Sequence, residues 1–332
     1  MLVVDEEGGG TGPQGMRMSK TIASATAHSH SAGTLYRELK ARVDSRLDAL
    51  VPITGAPSKA ARHALLAPGK RLRAILTLLA ARHCGGDDET ALDVACAVEM
   101  IHTASLIIDD LPAMDNADIR RGVATSHVLY GEGVAILAGI GLLNGAFGVV
   151  SDCPKLSPAQ KARVVSLFSR AVGWTGLVQG QALDISPTAS STDVSLDDIH
   201  YGKTGALFVA AALAGAATAT GMEDECQDLE AFARELGIAY QAFDDVLDTL
   251  VSDQDAGKST QKDAGKLTAM GDDHDREVGM KSALAKAESH LAKATAAVSG
   301  RSPEATSLAA FTQYISAHFQ KTFGQNTCVS AT

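Results

Sequence analysis

The stretch EDECQDLEAFARELGIAYQAFDDVLDTL, residues 223–250, decides the fold. Its large apolar side chains, Leu229, Phe232, Leu236, Tyr240, Phe243, Leu247 and Leu250, recur at three- and four-residue steps, the period of an amphipathic helix. Nothing in it alternates as a half-buried strand would. At its far end the same helix carries Asp244, Asp245 and Asp248. Asp244 and Asp248 are one turn apart and share a face with Gln241, so their charges repel unless water solvates them or a cation bridges them. A solvated acidic face and a site for a hard divalent ion both fit that spacing.

Working outward, the rest of the chain reads as helix too. Aromatics make up only 4% of its 332 residues while Ala, Leu and Gly abound, a composition for closely packed helices. Ser157-Pro158-Ala-Gln160 and Ser195-Leu-Asp-Asp198 are capping boxes, and Ser302-Pro303-Glu304 opens a helix in the same style. Gly85-Gly86 closes the run from Arg71 to Cys84, after which Asp87-Asp88 starts the next helix. No linker, repeat or heptad array divides the chain. The expected fold class is therefore all-α, a single large helical bundle of about ten core helices over residues 32–325. Residues 1–31 read as a disordered leader, with Met1, Met16 and Met18 as candidate starts, and 326–332 as a flexible tail. The uncharged run from Gly133 to Ser151 approaches spanning length but contains Asn144 and several glycines. It is read as a buried helix with close neighbours, not as a membrane span.

A formal net charge of -10 argues against a nucleic-acid partner, which a basic surplus would serve. The five cysteines, Cys84, Cys96, Cys153, Cys226 and Cys328, are scattered and lack CxxC spacing, so neither a disulfide framework nor a zinc site is indicated; a reducing cytoplasm fits.

A second acidic group, Asp109-Asp110-Leu-Pro-Ala-Met-Asp115, ends another long apolar run. Asp109 and Asp115 would diverge on an uninterrupted helix, but Pro112 breaks it and can turn Asp115 back towards Asp109. A capping or loop cluster is the alternative. Basic residues stand near in sequence: Arg120-Arg121-Gly122 follows, and Gly69-Lys70-Arg71-Leu-Arg73 precedes, with Lys70 and Arg73 expected on one helical face. Carboxylates alone suggest a metal; with cations they suggest metal plus a phosphorylated ligand, against the alternative of surface charge. Gly202-Lys203-Thr204 and the segment from Gly257-Lys258 to Gly265-Lys266 add further lysines, the latter reading as a lid or as a solvated loop. None completes a P-loop. Of ten histidines, His102 stands out, two turns before Asp109 on nearly the same face.

Taken together, Gly-Lys-Arg-Leu-Arg at 69–73, His-Thr-Ala-Ser-Leu-Ile-Ile-Asp-Asp at 102–110, Arg-Arg-Gly at 120–122, Gly-Gln-Ala-Leu-Asp at 180–184, Lys-Thr at 203–204 and Gln-Ala-Phe-Asp-Asp-Val-Leu-Asp at 241–248 resemble the short-chain trans-isoprenyl diphosphate synthases. Bacterial geranylgeranyl diphosphate synthases are the most similar in kind. The resemblance implies an isoprenoid-synthase bundle around a deep central cavity. It also implies head-to-tail condensation of isopentenyl diphosphate with an allylic diphosphate, dimethylallyl, geranyl or farnesyl, in a homodimer. About three Mg²⁺, or Mn²⁺ with the same oxygen preference, would be held by Asp109, Asp115, Asp244 and Asp248. Arg120, Lys203, Thr204, Gln241 and Lys258 would bind the allylic diphosphate, and Lys70, Arg73, His102 and Arg121 isopentenyl diphosphate. Asp110, Gln181, Asp184, Asp245 and Lys266 would support them.

Each turn of the helix before Asp109 advances about 5.4 Å, close to one isoprene unit, so residues one and two turns back would form the floor of the product pocket. Ser105 and the small Ala104 come first, then Ile101 and Met100. Small residues there favour the twenty-carbon product, geranylgeranyl diphosphate, over the fifteen-carbon farnesyl diphosphate; the alternative is that Ala104 merely packs on a neighbouring helix. A class I terpene cyclase would not need the second cation set, and a non-catalytic subunit of a heteromeric synthase would not need both acidic motifs intact.

Overall fold

In a computed structural model, residues 33–185, 195–219, 226–250, 276–299 and 305–329 are described. The stretch 1–31, Lys258, Lys266, Ser302-Pro303-Glu304 and the side chain of Asp248 lie outside the described residues.

The chain runs through α1 (33–50), α2 (Ala56–Leu66), α3 (Leu72–His83) and α4 (Asp88–Asp109). A hairpin of β1 (Ile119–Arg120) and β2 (Val123–Ala124) follows, then α5 (Ser126–Tyr130), α6 (Glu132–Asp152), α7 (Pro158–Val172) and α8 (Leu177–Asp184). α9 (Leu196–His200) continues through a π-helical turn, Tyr201–Gly205, into α10 (Ala206–Ala216); α11 (Cys226–Leu250), α12 (Arg276–Val298) and α13 (Ala305–Val329) complete the bundle. The all-α expectation holds.

The helices start where local chemistry says they should. Asp87 accepts from the Thr90 N–H at 2.9 Å, and Arg82 and Arg42 ion-pair with Asp88 in the first turn of α4 at 2.6 and 2.5 Å, where a helix dipole favours negative charge. Ser157 with Gln160 and Ser195 with Asp198 close the two capping boxes. Gly85, at φ 73°, ends α3 as a left-handed residue.

α10 is the centre of the bundle, packing on α3, α11, α7 and α4 with nearly every residue buried. It can sit there because its small side chains allow backbones to touch: a Cβ on Gly215 would fall 2.1 Å from the Thr77 carbonyl oxygen of α3. The apolar stripe of α11 supplies fully buried Phe232 and Leu236, and Phe243 stacks on Phe319 of α13 with ring centroids 4.5 Å apart.

Three expectations need correction. The hairpin is unforeseen; its two-residue turn places Arg121 at φ 56° and Gly122 at φ 77°, the twist that lets two very short strands pair. α6 is not a buried helix: Ile136, Leu137 and Ile140 are exposed, because only its Ala135, Ala138, Leu142 and Ala146 side meets α4 and the core. The last helix also continues to Val329, past residue 326 where a tail was expected. By length and composition both α4 and α6 could cross a bilayer; about two thirds of the apolar stretch of α4 is enclosed by the bundle, against about one third for α6.

Candidate active site

Burial makes the first acidic cluster a site. α4 stops at Asp109, the chain turns through Leu111-Pro112, and the Asp115 N–H returns to donate to the Asp109 carbonyl at 2.9 Å. Pro112 therefore brings the two aspartates together by ending the helix, not by bending it. Burial, with a contribution from the Asp115 charge that Lys203 opposes, pushes the Asp109 carboxyl up to about 6. Asp110 points elsewhere: it accepts from Arg120 Nε at 2.5 Å, and burial raises its carboxyl as well.

The second cluster divides in the same manner. Asp244 is half-buried and its charge reaches Arg73. Asp245 is buried, accepting from Gln241 Nε2 at 2.9 Å and facing His200 Nε2 at 3.2 Å. The π turn joins the clusters. Its Lys203 reaches Asp184 at 2.7 Å; burial opposes the lysine charge, but Asp184 and Asp109 outweigh it and hold the ammonium above its ordinary value. Next to it, the Thr204 hydroxyl donates to Gln241 Oε1 at 2.6 Å. α8 approaches so closely that a Cβ on Gly180 would lie 2.2 Å from the Lys203 backbone nitrogen, and Gln181 beside it keeps a buried amide Nε2 without a hydrogen-bond partner among the described residues.

The other cations gather around α3. Arg71, in a left-handed conformation, ends the approach to the helix, so Lys70 lies ahead of α3 and does not share a helical face with Arg73 as the spacing predicted. They still converge: Lys70 Nζ stands 4.8 Å from the Phe319 ring centroid, Arg73 4.5 Å from that of Phe208, and Arg73 Nη1 is 3.3 Å from His102 Nε2. Arg121 comes in from the hairpin turn, 3.2 Å from where a Cβ on Gly69 would be. Burial and the surrounding arginines, Arg73 and Arg121 foremost, push His102 well below its usual value and keep it neutral. Arg73 Nε and Arg121 Nη1 are buried donors with no hydrogen-bond partner among the described residues. Arginines do not give up their protons, so two orphaned guanidinium donors call for an anion.

Arg71 stood in the 69–73 motif without a role of its own, and Glu99 escaped notice in the sequence. Arg71 Nε donates to Asp44 at 2.7 Å and Nη2 to the carbonyl of Leu65 at 2.8 Å, while Glu99, 1% exposed within α4, lies 3.8 Å from Arg71 Nη1. A carboxylate inside the otherwise apolar stretch of α4 was the available signal. Of the proposed floor, Met100, Ile101 and Ala104 are buried and Ser105 is half-buried, its hydroxyl on the His102 carbonyl at 2.8 Å. Met100 meets Gly145 of α6, and the Ala104 carbonyl and Ile108 meet Gly139, so Ala104 sits at the α4/α6 crossing.

Among the described residues no three carboxylate, imidazole or thiol groups form a ready-made cage. Mg²⁺ does not need one. It keeps several waters and typically takes one or two carboxylates plus ligand phosphates, and the oxygen ligands of Asp109 and Asp115 beside Lys203 and Arg120, with Asp244 on α11, suit that mode.

Residues 56–271 match the family described as polyprenyl synthetase. The chain is 43% identical over 251 residues to a geranylgeranyl diphosphate synthase of Pantoea ananas, covering 74% of this chain and 82% of the relative. It is 42% identical over 293 residues to the chloroplastic geranylgeranyl pyrophosphate synthase 9 of Arabidopsis thaliana, covering 85% and 80%. Its structure resembles that of a geranyltransferase from Helicobacter pylori complexed with magnesium and isoprenyl diphosphate, with a TM-score of 0.73 and 26% identity over 87% of this chain and 97% of that one.

Proposed function

Because the chain belongs to the polyprenyl synthetase family, we propose that it is a magnesium-dependent trans-prenyltransferase, condensing isopentenyl diphosphate with allylic diphosphates to give geranylgeranyl diphosphate and diphosphate. One observation carries the reading: the cations fall into two sets with different partners. Arg120 and Lys203 are paired with carboxylates at 2.5 and 2.7 Å, whereas Arg73 and Arg121 hold buried donors that no acid among the described residues satisfies. A leaving diphosphate suits the first set, where metal and cation act together, and a diphosphate that must stay intact suits the second.

Asp109, Asp115, Asp244 and Asp248 are the proposed ligands for about three Mg²⁺, whose chemistry is Lewis-acid neutralisation of the departing diphosphate. Lys203 and Arg120, with Thr204, Gln241 and Lys258, orient that group. Lys70, Arg73, His102 and Arg121 hold isopentenyl diphosphate, and neutral His102 offers a hydrogen bond there without adding charge. The aromatic rings of Phe208, Tyr240 and Phe319 beside Arg73 and Lys70 exclude water from the reacting carbons.

A second copy of the chain is the proposed partner, docked on the outward side of α6, and the cytoplasm the proposed compartment, in keeping with Cys84, Cys96 and Cys153 as buried thiols outside any disulfide. The test of the activity is direct: incubate the protein with Mg²⁺, isopentenyl diphosphate and each allylic primer, and weigh the products. A twenty-carbon diphosphate is expected; no elongated product from any primer rejects the proposal.

A further inference from the structure

We propose that His200 is a positioning residue, which through a ring of hydrogen bonds with Asp245, Gln241 and Thr204 sets the π turn that presents Lys203 to the allylic diphosphate. The inference rests on the prenyl-transfer reading and deepens it. His200 Nε2 stands 3.2 Å from Asp245 Oδ2, a carboxylate oxygen that can only accept from it; Asp245 Oδ1 accepts from Gln241 Nε2 at 2.9 Å, and Gln241 Oε1 accepts from the Thr204 hydroxyl at 2.6 Å. His200 and Thr204 belong to one continuous stretch, and Gln241 and Asp245 to one turn of α11, so both ends of the π turn are tied to a single helix.

Three of its four members are buried, His200, Asp245 and Thr204 being only 3%, 4% and 5% exposed, and Gln241 is half-buried. It also fixes an amide that is otherwise free to flip: reversed, Gln241 would set its oxygen against the Asp245 carboxylate. The turn needs such support. A π-helical turn is a rare geometry, and Gly202 lies so near α8 that a Cβ there would come within 2.8 Å of the Gly180 Cα. Relaxing to α-helical register would rotate Lys203 away from Asp184, its partner on α8. His200 Nδ1 is buried with no hydrogen-bond partner among the described residues, so the ring runs through Nε2 alone.

That asymmetry gives the test. His200→Gln places an amide nitrogen near the Nε2 position, His200→Asn near Nδ1, and His200→Leu provides neither. With folding checked by thermal unfolding, His200→Gln should stay within about threefold of the parent, while His200→Asn and His200→Leu lose about tenfold or more in kcat/KM for the allylic substrate, with the KM for isopentenyl diphosphate unchanged. Equal rates for the Asn and Gln variants, or a parent-like rate for Leu, overturn the proposal. If the variants do not fold, ¹⁵N NMR of the parent imidazole decides: an Nε2–H tautomer is expected, and an Nδ1–H tautomer overturns it. A parent protein that makes no product counts against prenyl transfer, and the NMR experiment still tests the ring.

Discussion

Asp109 shows how a single carboxylate can be prepared for a cation by its surroundings. Taking it out of water raises its carboxyl to about 6, so below that pH the ligand-free protein holds a proton there that a divalent ion must displace. The sign follows: above pH 6 the site is ionised and affinity is level, and below it proton and metal compete. Mg²⁺ or Mn²⁺ affinity of the ligand-free protein should therefore fall roughly tenfold between pH 7 and pH 5, as read by calorimetric titration. Affinity that stays level to pH 5 contradicts this. The floor of the proposed product pocket is also decided by single side chains. Ala104 sits where α4 crosses Gly139 of α6, between Met100 and Ile108 on the same helical face, so a larger side chain there must enter the seam or the cavity beside it. Ala104→Tyr should shift the product from twenty to fifteen carbons, measured by mass, with some loss of thermal stability; an unchanged product distribution rejects Ala104 as part of the floor.

At the level of elements, the chemistry depends on backbones that touch. Gly215 is the tightest such point between two long helices, since an added Cβ would meet a carbonyl oxygen of α3 that cannot swing aside as a side chain would. Gly215→Ala should destabilise the protein by about 3 kcal/mol, the upper end for overpacking, and lower Arg73 activity with it because α3 carries that arginine. Chemical denaturation tests the first and the KM for isopentenyl diphosphate the second; stability equal to the parent contradicts the crossing described. Much at this scale was legible in the sequence. The stripe from Leu229 to Leu250, the caps at Asp87, Ser157 and Ser195, and the stop at Pro112 are local signals, each readable within a few residues. The hairpin and the π turn were not. Arg121 adopts a left-handed conformation where Asn or Gly would have announced a turn, and Tyr201-Gly-Lys-Thr-Gly205 gains its π register from Gly180 and Gln241, which are distant in sequence. For the same reason the motifs named individual cations, while their division into acid-paired and orphaned donors became visible only once α3, α4, α11 and the hairpin had met.

For the whole molecule, the charge inside must be matched by an outside that tolerates water, and one face does not. Ile136, Leu137 and Ile140 of α6 are 41%, 55% and 57% exposed, and Val128 and Leu129 of α5 are 49% and 51%, forming an apolar surface next to the helix that lines the site. Contiguous apolar surface of this kind marks an interface. α6 also buttresses α4 through Gly139 and Gly145, so whatever covers its outer side steadies the helix that ends in Asp109. If a second copy of the chain is the cover, replacing Leu137 with Glu and Ile140 with Lys puts two charges into the middle of the contact, each costing several kcal/mol to desolvate. The pair of substitutions should weaken self-association by about a hundredfold or more, giving monomer at micromolar concentration in sedimentation velocity, with helical content retained. Since both residues are already exposed in the single chain, the substitutions leave its core intact, and a dimer that survives them shows that the chain pairs through another face.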